Sequence, residues 1–136
     1  PYERYTAALH ASDIALLPLN DTAFNRAKSD LKFIEAAGHG AVALASPTVY
    51  AATVRDGETG LIYHSPEEFA EKLDLLIARA DLRRTLAENA YRYVAAHRLL
   101  DQHLGDYIAA YREMFARREE FERERRARVE KFFPQL

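Results

Sequence analysis

The sequence predicts an α/β protein built on a parallel sheet of about three strands. Three observations predict it. Residues 13–19, 41–45 and 61–63 are apolar runs without alternation, the pattern of strands buried on both faces. Segments of helical periodicity lie between and after them. Gly, Pro and Ser punctuate the joins. Strands that alternate with helices in this way pair in parallel.

The elements follow in order. Residues 2–11 carry Tyr5, Ala8 and Leu9 on one face, which predicts a short amphipathic helix. In 13–19 five of the seven residues are apolar, and Pro18 closes the run. Residues 20–26 are polar and turn-rich. A helix follows, with Ser29 or Asp30 as its cap and Gly38 or Gly40 as its stop. The second strand, 41–45, ends at Ser46-Pro47, and 48–54 has room for one or two helical turns. Asp56-Gly57 and Thr59-Gly60 mark a turn before the third strand. Ser65-Pro66-Glu67-Glu68 is a strong helix start: Ser65 caps, Pro66 takes the first helical position, and Glu68 takes the capping-box position. Phe69, Leu73, Leu76 and Ile77 form the expected buried face of that helix. Asp81 opens another, with Leu82, Leu86, Ala90, Tyr93 and Val94 on one side.

From Gly105 the pattern changes. Tyr107, Tyr111, Met114, Phe115 and Phe121 are spaced as a narrow helical stripe, and 117–131 is mostly Arg and Glu. Glu119/Arg123, Glu122/Arg126 and Glu124/Arg128 are four apart with Glu first, the favourable orientation. A single helix over 105–131 would reach about 40 Å. It reads as a solvated helix packing only its first half. The alternative is a strut to a partner, with Phe132, Phe133 and Leu136 as its docking end.

The expected organisation is thus 1–104 as a partial Rossmann-like, three-layer α/β domain and 105–136 as a long charged C-terminal helix. Doubly wound sheets usually carry five or six strands. Three strands, together with a first residue that is Pro1 rather than Met, suggest a piece of a longer polypeptide whose N-terminal strands lie outside it. An open sheet edge would favour self-association, as would the C-terminal helix.

Composition removes several classes of function. The chain has 136 residues, 49% apolar and 29% charged, with a net charge of −2. No overall basic balance points to nucleic acid or a membrane surface. Cysteine is absent, which excludes disulfides and thiolate ligands and fits a cytoplasmic protein. No apolar run approaches the roughly 18 residues of a membrane span. The five histidines show no ligand spacing, so no metal site is expected. A Gly-x-Ser-x-Gly elbow, a P-loop and a full glycine-rich dinucleotide loop are all missing.

The stretch 27–40 stands apart. A helix N-terminus presents free backbone N–H groups and about half a positive charge, which suits phosphate. Here that end falls near Ser29, Asp30 and Leu31, with Lys28 just before it and Lys32 one turn in. Two ammonium groups and oriented amides would cradle a diphosphate. Glu35 lies about 6–8 Å further along, at 1.5 Å per residue, where a carboxylate would accept a ribose diol. Such a site would sit at the carboxyl edge of the sheet, where open α/β folds bind ligands. The competing reading is an amphipathic helix whose polar face simply carries Lys and Glu.

A family resemblance bears on that choice. Asp13-Ile-Ala-Leu-Leu-Pro-Leu19, Lys28-Ser-Asp-Leu-Lys-Phe-Ile-Glu-Ala-Ala37, Ala41-Val-Ala-Leu-Ala-Ser46 and Asp56-Gly-Glu-Thr-Gly-Leu-Ile62 resemble, in order and spacing, the C-terminal half of a group 1 glycosyltransferase. Leu86-Ala-Glu-Asn-Ala-Tyr-Arg-Tyr-Val94 is similar to the helix that follows, and the likeness extends over about residues 3–115. These are retaining GT-B enzymes in which the C-terminal domain binds a nucleotide-sugar donor. The resemblance implies that Glu35 takes the ribose and that Ser29, Asp30 and Leu31 offer amides to the diphosphate. It assigns Lys28 to the charge of the leaving group and needs no bound metal and no cofactor beyond the donor. Lys28 and Glu35 are the expected catalytic residues; Lys28, Ser29, Asp30, Leu31, Lys32 and Glu35 are the expected donor contacts. The family pairs two acids eight apart, and the first falls at Ala27, so the sequence departs from the pattern there. The acceptor site and part of the catalytic apparatus would come from the absent N-terminal domain, so the fragment alone is expected to be inactive. The alternatives are a non-catalytic scaffolding module of glycosyltransferase type and a GT-B sugar-nucleotide epimerase.

Overall fold

A computed structural model describes residues 1–134. They fall into two compact units, Pro1–Leu99 and a second that begins at Leu100.

In the first unit α1 (Tyr2–His10) leads into β1 (Ile14–Leu17). A polar stretch carries a short helix, α2 (Ala23–Arg26), before α3 (Leu31–Gly38) and β2 (Val42–Ala45). One helical turn, α4 (Pro47–Tyr50), precedes β3 (Leu61–Ile62). Two longer helices close the unit, α5 (Pro66–Ala78) and α6 (Ala80–His97). The strands form one parallel sheet in the order β1-β2-β3. Ile14 pairs with Val42 and Leu17 with Ala45, while Ala45 also pairs with Ile62.

The central strand β2 is buried at all four positions, which is why it reads as an unbroken apolar run. Its side chains alternate between two cores. Ala43 and Ala45 meet Phe33 and Ala37 of α3 and Ala90 and Val94 of α6. Val42 and Leu44 meet Leu76 of α5 and Leu86 of α6. Helices therefore cover both faces, as expected for a parallel sheet. Of the four residues expected to bury α5, Leu76 is fully buried and Phe69 and Leu73 pack against the core. Ile77 is instead 62% exposed, in the last turn of α5 where the chain bends at Arg79 into α6.

Local signals explain the boundaries. The Ser65 hydroxyl accepts the Glu68 N–H at 3.1 Å, and the Glu68 carboxylate accepts the His64 N–H at 2.9 Å. The polar stretch 20–26, read as turn, folds into α2 because the Thr22 hydroxyl accepts the Asn25 N–H at 3.1 Å. The turn before β3 is held by Thr59, which is buried and whose hydroxyl accepts the Arg55 N–H. Gly57 has φ +77°, in the region that favours glycine. Gly60 serves a different need, since a Cβ there would come within 2.9 Å of the Ala43 carbonyl oxygen and of Val54. Gly60→Ala is expected to destabilise the unit by about 1–3 kcal/mol, because backbone of β2 cannot yield. Urea unfolding of the two proteins checks this.

The second unit holds a 3-10 turn (Leu100–His103), α7 (Leu104–Ala116) and α8 (Arg118–Phe132). The helix expected over 105–131 is thus interrupted at Arg117, whose φ of −97° and ψ of 14° leave the helical region. Its guanidinium bonds Glu113 behind it and Glu120 ahead of it, at 3.2 and 2.9 Å. Arg117 so serves as the end of one helix and the start of the next. Of the expected ion pairs, Glu122–Arg126 is present at 3.2 Å, and Arg125 joins it at 2.7 Å. Tyr107, Tyr111, Met114 and Phe115 are all exposed, so the stripe is not buried along the first half as expected. Phe132 and Phe133 are also exposed; Leu136 lies outside the described residues.

Candidate functional site

The path of the chain places α3. It leaves the carboxyl end of β1 at Leu17, and α3 returns it to the amino end of β2 at Val42. The start of α3 therefore lies at the carboxyl edge of the sheet and its end at the amino edge. Bonds at the two ends agree. Ser46, buried just after β2, accepts the Leu19 N–H at 2.8 Å. At the other edge the Val42 N–H donates to Asp13 O at 2.9 Å, and the His10 and His39 rings meet at 4.5 Å. The last contact also shows that α1 lies along α3.

Of the expected site residues, Lys28 and Ser29 are exposed in the short non-helical stretch between α2 and α3. The Lys28 ammonium sits 5.0 Å from the centroid of the Phe24 ring. Leu31 opens α3 and is half exposed, and its amide and that of Lys32 belong to the first turn, where no intrahelical carbonyl is available.

Asp30 occupies the N-cap position, as the sequence suggests, yet its side chain makes no cap bond. The carboxylate turns inward and takes both guanidinium nitrogens of Arg98, at 2.7 and 2.8 Å. Arg98 terminates α6, so the pair ties the start of α3 to the end of α6. The Arg98 hydrogen bonds hold the Asp30 carboxyl below the usual aspartate range, against the opposing effect of burial; Thr53 assists. The guanidinium in turn is pushed up, chiefly by Asp30. Asp30 is thus anionic, neutralised and structural. With its carboxylate committed to Arg98, Asp30 makes no side-chain bond to the first amides of α3.

Glu35 lies one turn further on. Its Oε2 accepts the Tyr5 hydroxyl at 2.6 Å and the Lys32 ammonium at 2.9 Å. Lys32 also donates to the Tyr5 oxygen at 2.8 Å and lies 4.3 Å from the centroid of that ring. The Tyr5 bond, then Lys32, depress the Glu35 carboxyl below its ordinary value. Lys32 is raised in turn, first by the Tyr5 oxygen and then by Glu35. The Glu35 side chain is 20% exposed and the Lys32 side chain 54%. Lys32 therefore lies along the helix against Glu35, one turn from the α3 tip where a second ammonium was expected. The arrangement offers a fixed anion beside the first turn and free amides at its start.

Sequence reasoning missed Tyr5 and Arg98. Tyr5 carried the signal of an apolar-face residue. Arg98 carried none, since it lies 68 positions from Asp30. Tyr50 is buried in the core, and burial pushes its hydroxyl up. A cavity of about 580 Å³ lies at the opposite, amino edge of the sheet, lined in part by Asp13, Gly40, Arg83, Arg84 and Tyr91. Arg83 is already occupied there, donating to the Leu76 and Ile77 carbonyls at the end of α5. Among the described residues no group of three His, Asp or Glu is placed to hold a metal ion, and no helix is long and apolar enough to cross a membrane.

The family model described as "Glycosyl transferase-like" matches residues 1–111, and the chain belongs to that family. The structure is similar to the C-terminal domain of a group 1 family glycosyl transferase (LpcC) from Francisella tularensis, with a TM-score of 0.57 and 24% identity. That match covers 67% of this chain and 46% of the other, so the chain aligns with about half the length of the matched domain. Comparison with curated proteins returns no match. Most of α7 falls within the family match; α8 lies beyond it.

Proposed function

We propose that this chain is the donor-binding part of a retaining glycosyltransferase that takes its sugar from a nucleoside-diphosphate donor. The observation that carries the reading is Glu35. In a chain of the glycosyl transferase-like family, it is an ionised carboxylate held beside the first turn of α3, at the carboxyl edge of the sheet. Glu35 accepts the ribose hydroxyls. The amides of Ser29, Asp30 and Leu31 and the ammonium of Lys28 face the diphosphate, and Lys32 acts through Glu35.

The chemistry follows from charge. As the glycosidic bond breaks, the leaving nucleoside diphosphate gains negative charge. Fixed amides at a helix start and a lysine beside it favour that charge without reorganising. Stabilisation of this kind acts on the transition state more than on the bound donor. The donor needs no metal in this scheme. The acceptor site belongs to a domain outside this sequence, and the working compartment is the cytoplasm.

Ala27 favours a second reading, a glycosyltransferase-like module without catalysis, because a methyl group stands where the family's first acid would reach the sugar. One experiment separates the two. The full-length protein is incubated with a panel of UDP- and GDP-sugars, and products are followed by NMR. Transfer or slow donor hydrolysis with retained anomeric configuration supports the enzyme. Absence of turnover across the panel supports the module. Inverted product rejects the retaining assignment.

A further inference from the structure

Tyr5 belongs to none of the motifs around α3. It reaches Glu35 from α1, 30 positions earlier in the chain. Its hydroxyl proton goes to Glu35 Oε2, and its oxygen receives the Lys32 ammonium, which also bonds Oε2. The three polar atoms form a closed triangle with sides of 2.6, 2.8 and 2.9 Å. Two donors thus converge on one carboxylate oxygen. A carboxylate has about four lone-pair positions, so Oε1 keeps its full capacity to accept.

We infer that Tyr5 is a positioning residue for ribose: it pins one oxygen of Glu35 so that the other meets the sugar hydroxyls of a bound nucleotide. This rests on the donor-site reading above. Lys32 alone is poorly suited to the task. It belongs to the same helix as Glu35, its side chain is half exposed, and an exposed i,i+3 ion pair constrains geometry weakly. Tyr5 comes from a second element, has a rigid ring and is half-buried. It fixes the carboxylate relative to α1 as well as to α3. The triangle separates two properties. Without the hydroxyl, Lys32 still pairs with Glu35, so charge at the site is kept while orientation is lost. Tyr5→Phe therefore alters recognition of the ribose and spares recognition of the diphosphate.

The test compares full-length wild type and Tyr5→Phe in titrations with UDP, GDP and their 2′-deoxy forms. Wild type is expected to favour the ribose form by at least about tenfold, as for a hydrogen bond to a charged group. In Tyr5→Phe that ratio falls about threefold or more, affinity for the deoxy form is unchanged, and the melting temperature moves little. As pH falls, the ribose preference of the variant also fades at a higher pH than that of wild type, because the Tyr5 bond is the main cause that holds the Glu35 carboxyl below its ordinary value. An unchanged ratio overturns the inference. So does an equal loss for ribose and deoxyribose forms, which would make Tyr5 a packing residue only. If wild type binds none of the four nucleotides, the donor-site reading itself falls, and this inference with it.

Discussion

Arg98→Ala is expected to lower stability at neutral pH by about 3 kcal/mol, the low end for breaking an ion pair withdrawn from water. The low end applies because the Arg98 and Asp30 side chains keep 25% and 11% of their exposure. The cost arises from what stays behind. Asp30 is held under the start of α3 on a short side chain, and without Arg98 its carboxylate has lost a bidentate partner at 2.7 and 2.8 Å. Asp30→Ala is expected to cost less, about 2 kcal/mol, because the guanidinium left behind has a long flexible stem and reaches water. The order of the two variants distinguishes a stranded carboxylate from simple loss of one contact. The pH dependence has a definite sign. Asp30 ionises more readily in the folded chain than at its ordinary value of 3.8. Its contribution is therefore fully present above about pH 4 and is lost as pH falls through the lower folded value. Urea unfolding at pH 7 and near pH 3 should show the gap between wild type and Arg98→Ala shrinking in acid. A gap that stays constant would mean that the pair contributes packing and little charge.

The second large effect concerns binding. Glu35→Ala is expected to weaken a nucleoside diphosphate by about 1.5–3 kcal/mol, or roughly ten- to a hundredfold, as for hydrogen bonds to a charged acceptor. The fold should tolerate the change, since Lys32 is half exposed and water replaces its lost partner. The 2′-deoxy nucleotide should lose less, because it has less to give to the carboxylate. Calorimetric titration of UDP and GDP against both proteins reads the difference directly. Glu35→Gln should fall between the two, since it keeps an acceptor oxygen and loses the charge. Equal affinities in wild type and Glu35→Ala would remove Glu35 from the ribose.

Parts of this structure were legible in the sequence for a physical reason. A strand buried on both faces must be apolar at every position, so 41–45 announces β2 within a residue. Helix ends carry chemical signatures too: Ser65-Pro66 begins α5 where capping predicts. Boundaries set by small balances were not legible. The turn-rich 20–26 folds into α2, and Arg117 interrupts a stretch rich in good helix formers such as Ala, Arg and Glu. Ile77 has the periodicity of a core residue, but burial depends on where the helix stops over the sheet. The candidate site was half visible. Glu35 could be picked out because spacing along one helix is a local property. What holds Glu35 is not local, since Tyr5 is 30 positions away on another helix. Asp30 shows the limit most clearly. Its place before α3 suggests a cap, and only the fold reveals that its carboxylate belongs to Arg98.

We propose that α3 receives the nucleotide of a sugar donor, phosphates at its start and ribose at Glu35. The crystal structure of the full-length protein with UDP or GDP tests it most directly. A Glu35 carboxylate oxygen is expected at hydrogen-bonding distance, about 2.6–3.2 Å, from a ribose hydroxyl. The diphosphate is expected against the amides of Ser29, Asp30 and Leu31. A nucleotide bound in the amino-edge cavity beside Arg84, or one whose ribose makes no contact with Glu35, would contradict it.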